Sequence, residues 1–314
     1  MPRKFRVAVL DDYQGVALQL ADWSPLRERA DIVVFQDHPT DFEAIVARLE
    51  PFDVLCVMRE RTPLSRALFE RLPNLRLVAS TGPRNAAIDE EAALERGISV
   101  AHTGYASDAT IEFTWAMILA SARDIAAEAS LLRSGGWQRS LGVGLKGKTL
   151  GLLGLGNVGR GVARIGLAFG MRLVAWSQNL TEEQALAEGV LRVEKEALFA
   201  QADFISIHLV LSRRTRGLVD APLLSVMKPT ARLINTSRGP IVDEAALLDA
   251  LDTNRIAGAA IDVFATEPLP LDHPFRSHPK VLATPHIGYV ADDLYRVFYE
   301  DTVRNVLNWF DAQA

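Results

Sequence analysis

The chain has 314 residues, 49% of them hydrophobic and 23% charged, and a net charge of −5. That allows about two domains with substantial cores. The acidic and basic residues are interspersed, so no basic face invites nucleic acid or anionic lipid, and no apolar run is long enough to span a bilayer.

The opening "MPRKFRVAVLDDYQG" has few basic residues and a short apolar run ending in two aspartates, which reads as a first β-strand rather than a secretion signal. Strand-like runs follow as "DIVVFQ", "DVLCVM", "LRLVAST" and "ISVAH", separated by helical stretches such as "FEAIVARLE", "SRALFERL" and "DEEAALERG". Continuous apolar runs joined by amphipathic crossovers are the pattern of buried parallel strands. The single cysteine, Cys56 in "DVLCVM", excludes an intrachain disulfide and a cysteine-rich metal site. No metal is expected, and the setting expected is a reducing cytoplasm.

After "ISVAHTGYASDAT" one helix is predicted over "IEFTWAMILASARDIAAEASLL". Its first half is apolar nearly all round (Ile111, Phe113, Trp115, Met117, Ile118, Leu119), so it is either buried in the chain or covered by a second subunit. A homodimer is expected on that ground. The strand scheme then repeats with "KTLGLLG", "RLVAWS", "ADFISIHLV", "ARLINTS", "RIAGAAIDVF" and "VLATPHIG". The last helix, "ADDLYRVFYEDTVRNVLNWF", offers Leu294, Val297, Phe298, Val306, Leu307 and Phe310 as a face to pack back onto the first unit. The fold class is therefore α/β, with two doubly wound parallel-sheet, Rossmann-like domains. The active site is expected in the cleft between them.

In "KTLGLLGLGNVGRGVARIGLAFG" the spacing Gly154-x-Gly156-x-x-Gly159 follows an apolar strand and opens a helix whose Val158, Val162, Ile165 and Phe169 share one face. That context is what a dinucleotide fingerprint needs: a tight turn, close approach of backbone to a diphosphate, and free amides near Asn157 and Val158 to receive it. The next strand ends at Ser177, Gln178 and Asn179, neither the acid that selects NAD nor the arginine that accommodates NADP. The cofactor is NAD or NADP, with NAD slightly favoured.

Polar groups leave the ends of three apolar strands: Arg238 in "INTSRGPIVDEAALL", Asp262 and Glu267 in "AAIDVFATEPLP", and His286 in "VLATPHIG". Open parallel sheets bind ligands on that rim. Together with "GLLGLGNVGR", these stretches resemble the signatures of the D-isomer-specific 2-hydroxyacid dehydrogenases, and the similarity runs in order through nearly the whole chain.

The resemblance implies hydride transfer between NAD(P)H and a 2-oxo acid or D-2-hydroxy acid. It makes His286 the acid/base, Glu267 the partner that orients the imidazole and sets a negative charge beside it, and Arg238 the binder of the substrate carboxylate and carbonyl. Thr236 and Asp262 correspond to cofactor contacts, Asp262 near the nicotinamide. The loop "STGPRNAAID" corresponds to the family's substrate-carboxylate loop, which makes Gly82, Pro83, Arg84 and Asn85 substrate candidates, with Arg59 in "VMRERTPL" beside them. Two departures stand out: Pro83, which lacks an amide donor, and Val210, where the family often has proline. The domains expected are 1–103 with 289–314 for substrate, flavodoxin-like, and 104–288 for dinucleotide. Two alternatives stay open: an NAD(H)-sensing binding or corepressor-type protein on the same scaffold, and a 3-phosphoglycerate dehydrogenase. The chain's end directly after the return helix leans against the second.

Overall fold

Runs rich in β-branched residues and leucine, the central ones buried on both faces, form twelve parallel strands in the computed structural model, which describes residues 3–313. Five make the first sheet: β1 (Phe5–Val9), β2 (Ala30–Val34), β3 (Val54–Val57), β4 (Leu77–Ser80) and β5 (Ser99–His102), in the order β2-β1-β3-β4-β5. That is the flavodoxin-like order. The second sheet holds β6 (Thr149–Leu153), β7 (Arg172–Trp176), β8 (Leu191–Arg192), β9 (Phe204–Ile207), β10 (Arg232–Asn235), β11 (Gly258–Ile261) and β12 (Val281–Ala283). Its order, β12-β11-β10-β9-β6-β7-β8, reverses direction at β6 and β9, as in a dinucleotide-binding sheet extended by one strand.

The chain divides into two compact units. One runs through Ala106 and resumes at Val290; the other is Ser107–Tyr289. In the first, the long helix Asp292–Ala312 returns to the sheet with Leu294, Phe298, Val306 and Phe310 buried, while Val297 and Leu307 are only half-buried. Tyr295, Tyr299, Thr302 and Val303 complete the face instead. Phe310 stacks on Phe5 of β1 at 4.6 Å, and Asn305 Nδ2 donates to the His102 carbonyl at the end of β5 (3.0 Å).

Three expectations need correction. The helix predicted over 111–132 is two helices, Asp108–Ala122 and Ile125–Arg133, broken at Asp124, whose φ of 50° is left-handed. No glycine or proline marks the break, and Asp124 pairs with Arg232 of β10 (3.2 Å). The apolar first half of that stretch does not need a second subunit. Ile111, Trp115, Met117 and Ile118 are buried within their own unit, against Val162 and Ala163 of the helix Asn157–Ala168. On that helix Val158 and Ile165 are half-buried and Phe169 is exposed, because Gly159, Gly161 and Gly166 share the packed face and bring the helix close. The two-residue β8 is too short to carry a readable pattern.

Candidate active site

β10, β11 and β12 are adjacent and parallel, with Asn235 opposite Ile261 and Ile261 opposite Ala283. Neighbouring strands lie about 4.8 Å apart, so the segments leaving their carboxyl ends share one stretch of rim. Arg238 lies three residues beyond β10, Glu267 six beyond β11 and His286 three beyond β12. Of these, His286 and Glu267 meet directly: Nδ1 lies 2.5 Å from Glu267 Oε2. The other carboxylate oxygen, Oε1, accepts the Phe264 N–H (2.8 Å), which anchors the acid to its own turn. Nε2 of His286 has no hydrogen-bond partner among the described residues, and about a fifth of the side chain (21%) is exposed. The pair thus fixes the ring and leaves one nitrogen available for proton transfer.

The backbone of His286 is strained, with φ +53°. A non-glycine residue stays in that region only where its surroundings over-determine it. Here Asp262, just past β11 and buried, supplies the constraint: Oδ1 accepts from Thr284 Oγ1 (2.6 Å) and Ile287 N (2.9 Å), and Oδ2 from Gly288 N (2.8 Å). Burial pushes the Asp262 carboxyl above the usual carboxylate range, against the pull of those three donors and the nearby His286. Sequence reading gave Asp262 a cofactor role; within the unit its oxygens are engaged by the histidine turn.

Arg238 is half-buried, with Nη1 donating to the Ser237 carbonyl (2.8 Å). Its own carbonyl accepts from Asn235 Nδ2 (3.0 Å). The segment lies so close to the next turn that a Cβ on Gly239 would stand 2.0 Å from the Phe264 carbonyl carbon. Gly239 therefore joins the arginine and glutamate turns, a role no motif spacing disclosed. Thr236 is buried, and its hydroxyl meets Thr114 Oγ1 at 2.7 Å. Thr114 Oγ1 in turn donates to the Thr110 carbonyl (2.8 Å), so Thr236 is the donor and keeps only lone pairs for a ligand.

The glycine-rich turn fits a dinucleotide. Gly154 has φ +109°, and a Cβ there would meet the His208 carbonyl at 2.7 Å. One on Gly159 would meet Gly154 O at 2.3 Å, whereas Gly156 faces open space, as a site for close ligand approach must. Asn157 and Val158 start the helix, with their amides at its open end. Ser177 follows β7 directly beside this turn, since Leu153 pairs with Trp176 and Gly154 N donates to the Trp176 carbonyl (2.8 Å). His208, beyond β9, went unnoticed in sequence. Burial pushes its imidazole down to about 3, and its Nε2 is buried without a hydrogen-bond partner among the described residues.

The substrate-loop candidates belong to the other unit. Arg59, just past β3, is held by its loop: its N–H donates to Thr81 Oγ1 (2.8 Å), its carbonyl accepts from Asn85 Nδ2 (2.6 Å), and its Nη1 donates to the Thr81 carbonyl (3.2 Å). Gly82 and Asn85 are buried; Pro83 and Arg84 are exposed.

Residues 115–288 match the model of the D-isomer specific 2-hydroxyacid dehydrogenase NAD binding domain. The chain belongs to that family. It is 40% identical over 293 residues to a glyoxylate reductase of Aeropyrum pernix, covering 90% of this chain and 85% of that one. To a D-3-phosphoglycerate dehydrogenase of Bacillus subtilis it is 38% identical over 287 residues, 90% of this chain but only 53% of the relative, so it spans about half that enzyme's length. The crystal structure of a phosphoglycerate oxidoreductase from Vibrio cholerae superimposes with a TM-score of 0.93 at 35% identity, covering 98% of this chain and 99% of that one. The family's members are NAD(P)-dependent oxidoreductases of the CH–OH group, and the similarity supports that class rather than a sensing or corepressor protein. No helix among the described residues is long and apolar enough to cross a membrane.

Proposed function

We propose that this family member reduces a small 2-oxo acid to the D-2-hydroxy acid, and runs the reverse oxidation, with His286 as acid/base. The observation that carries the reading is the His286–Glu267 contact on the rim that Arg238 shares. A bound nicotinamide supplies the hydride to the carbonyl carbon. His286 Nε2 gives a proton to the carbonyl oxygen, while Glu267 keeps the ring in register through Nδ1. Arg238 binds the substrate carboxylate and polarises the carbonyl with its planar donor fork. Gly154, Gly156, Asn157, Val158 and Gly159 hold the diphosphate, Ser177 lies by the adenosine ribose, and Thr236 and Asp262 lie toward the nicotinamide end. Arg59, Gly82, Pro83, Arg84 and Asn85 are the substrate-carboxylate candidates of the first unit.

Similarity to the glyoxylate reductase over most of both chains favours glyoxylate- and hydroxypyruvate-sized substrates over a phosphorylated one. The test follows NADH and NADPH oxidation with glyoxylate, hydroxypyruvate, pyruvate and 3-phosphohydroxypyruvate. Turnover of at least one unphosphorylated acid is expected; turnover of none, or of the phosphorylated acid alone, sinks the substrate assignment. We also propose a homodimer, on different ground from the buried helix. Ile125, Leu132, Trp137 and Leu141 are exposed within one short stretch, Trp137 by 75% and Leu141 by 96%. Sedimentation is expected to give a dimer that Trp137→Ser weakens; a monomeric wild type refutes it.

A further inference from the structure

The segment that carries Glu267 has no regular structure of its own. Between the end of β11 at Ile261 and the short 3-10 helix Pro274–Arg276 the chain forms neither helix nor strand, and residues 265–268 are exposed. Pro268 and Pro270 offer no amide donors there. A carboxylate that must meet one imidazole at a fixed distance therefore needs its backbone held from outside the segment.

Glu244, the first residue of the helix Glu244–Asp252, holds it. Its Oε1 accepts the Ala265 N–H at 2.7 Å, one residue after the amide that Glu267 Oε1 accepts. Two neighbouring N–H groups thus go to two different acids, Phe264 to the acid of the turn and Ala265 to an acid outside it. The second oxygen of Glu244, Oε2, lies 3.5 Å from His273 Nε2 at the far end of the segment. His273 Nδ1 accepts the Phe275 N–H (3.2 Å), which leaves the proton of the neutral ring on Nε2, facing Glu244. Both side chains are largely covered, His273 being 19% and Glu244 21% exposed. One carboxylate therefore reaches both ends of the segment 265–273, with Glu267 between them in the chain. Ala265 is exposed, so water can replace Glu244 as its acceptor, and the bond adds little to net stability. What water cannot supply is a fixed direction for the turn.

We propose that Glu244 is a positioning residue for the reaction: by holding Ala265 and His273 it sets where Glu267 meets His286. The inference rests on the reading of His286 as acid/base with Glu267 as its partner. It gives the pair a clamp on each side, Asp262 on the His286 turn and Glu244 on the Glu267 turn.

The experiment joins steady-state kinetics to hydrogen exchange on the NADH-saturated protein, with whichever of glyoxylate, hydroxypyruvate and pyruvate the wild type turns over fastest. Glu244→Ala is expected to lower kcat about 10–100-fold while KM for the oxo acid changes less than about twofold. Glu244→Gln, which keeps an acceptor at the same reach, is expected to recover most of that loss. In a Glu267→Ala protein, adding Glu244→Ala is expected to change kcat by less than about twofold, because the group it positions is gone. Exchange at Phe264 and Ala265 should quicken several-fold in Glu244→Ala, with the glycine-rich turn unchanged. Unchanged exchange at Phe264 and Ala265 overturns the proposal whatever the activity does, as does an equal loss of kcat with and without Glu267. A raised KM with kcat intact overturns it too, and sends the effect to the Arg238 turn that Gly239 packs beside Phe264. Full activity in Glu267→Ala overturns the underlying reading, and the proposal with it.

Discussion

Two residues just past parallel strands, one in each unit, share the same forbidden-looking backbone: Arg59 at φ +52° and His286 at φ +53°. The chain restrains them differently. At His286 the constraint comes from a buried carboxylate one strand away, and the ring is aimed by a second acid, so the turn holds the backbone and leaves Nε2 available. At Arg59 the constraint is local. Thr81 and Asn85 grip its backbone, and the guanidinium folds down onto Gly82, where a Cβ would lie 1.7 Å from Nη1. One turn leaves a ring nitrogen open; the other folds a cation into its own loop. A left-handed residue at a strand end therefore marks a constrained turn, and the partners of its side chain tell what the constraint serves.

The comparison breaks most sharply at His286. His286→Ala is expected to lower kcat by about 10²–10⁴-fold, the range for a general acid/base, with NADH binding retained by fluorescence titration. Full activity in the folded variant would remove the distinction altogether. Asp262→Asn comes next. It exchanges one acceptor oxygen for an NH2 group facing the Ile287 or Gly288 N–H, at a stability cost of about 1–3 kcal/mol. Denaturant melts should register that cost, and kcat should fall more than KM rises because the histidine turn relaxes. Unchanged melts and kcat would mean that the turn does not rely on its clamp.

Gly82→Ala tests the other region. Its φ of +81° costs an alanine about 1–2 kcal/mol, and the new methyl displaces the Arg59 guanidinium. Lower stability with a raised KM for the oxo acid and little change in kcat is the expected pattern. A kcat loss equal to that of His286→Ala would equate the two turns. The smallest effect is expected from Arg84→Ala, whose exposed side chain should alter KM by a few-fold at most and melting within about 0.5 kcal/mol.

Much of this was legible in the chain. Continuous apolar runs disclosed both parallel sheets, because strands covered on two faces carry no polar alternation. Gly154, Gly156 and Gly159 were readable because a tight turn and a close helix start admit few other residues, and Arg238, Glu267 and His286 each stand at a fixed short distance beyond such a run. What sequence could not supply was decided between segments remote along the chain. The break comes at Asp124, which pairs with Arg232 more than a hundred residues away, and no glycine or proline announces it. The cover on the apolar helix came from within its own unit, since apolarity records that a face is buried and not by what. Gly239 looked like any turn glycine until Phe264 stood against it, and nothing in the spacing of Asp262 announced the three donors that converge on its oxygens. Local pattern determines which elements form and where polar groups leave them; hydrogen-bond satisfaction and close packing between those elements decide what each polar group does.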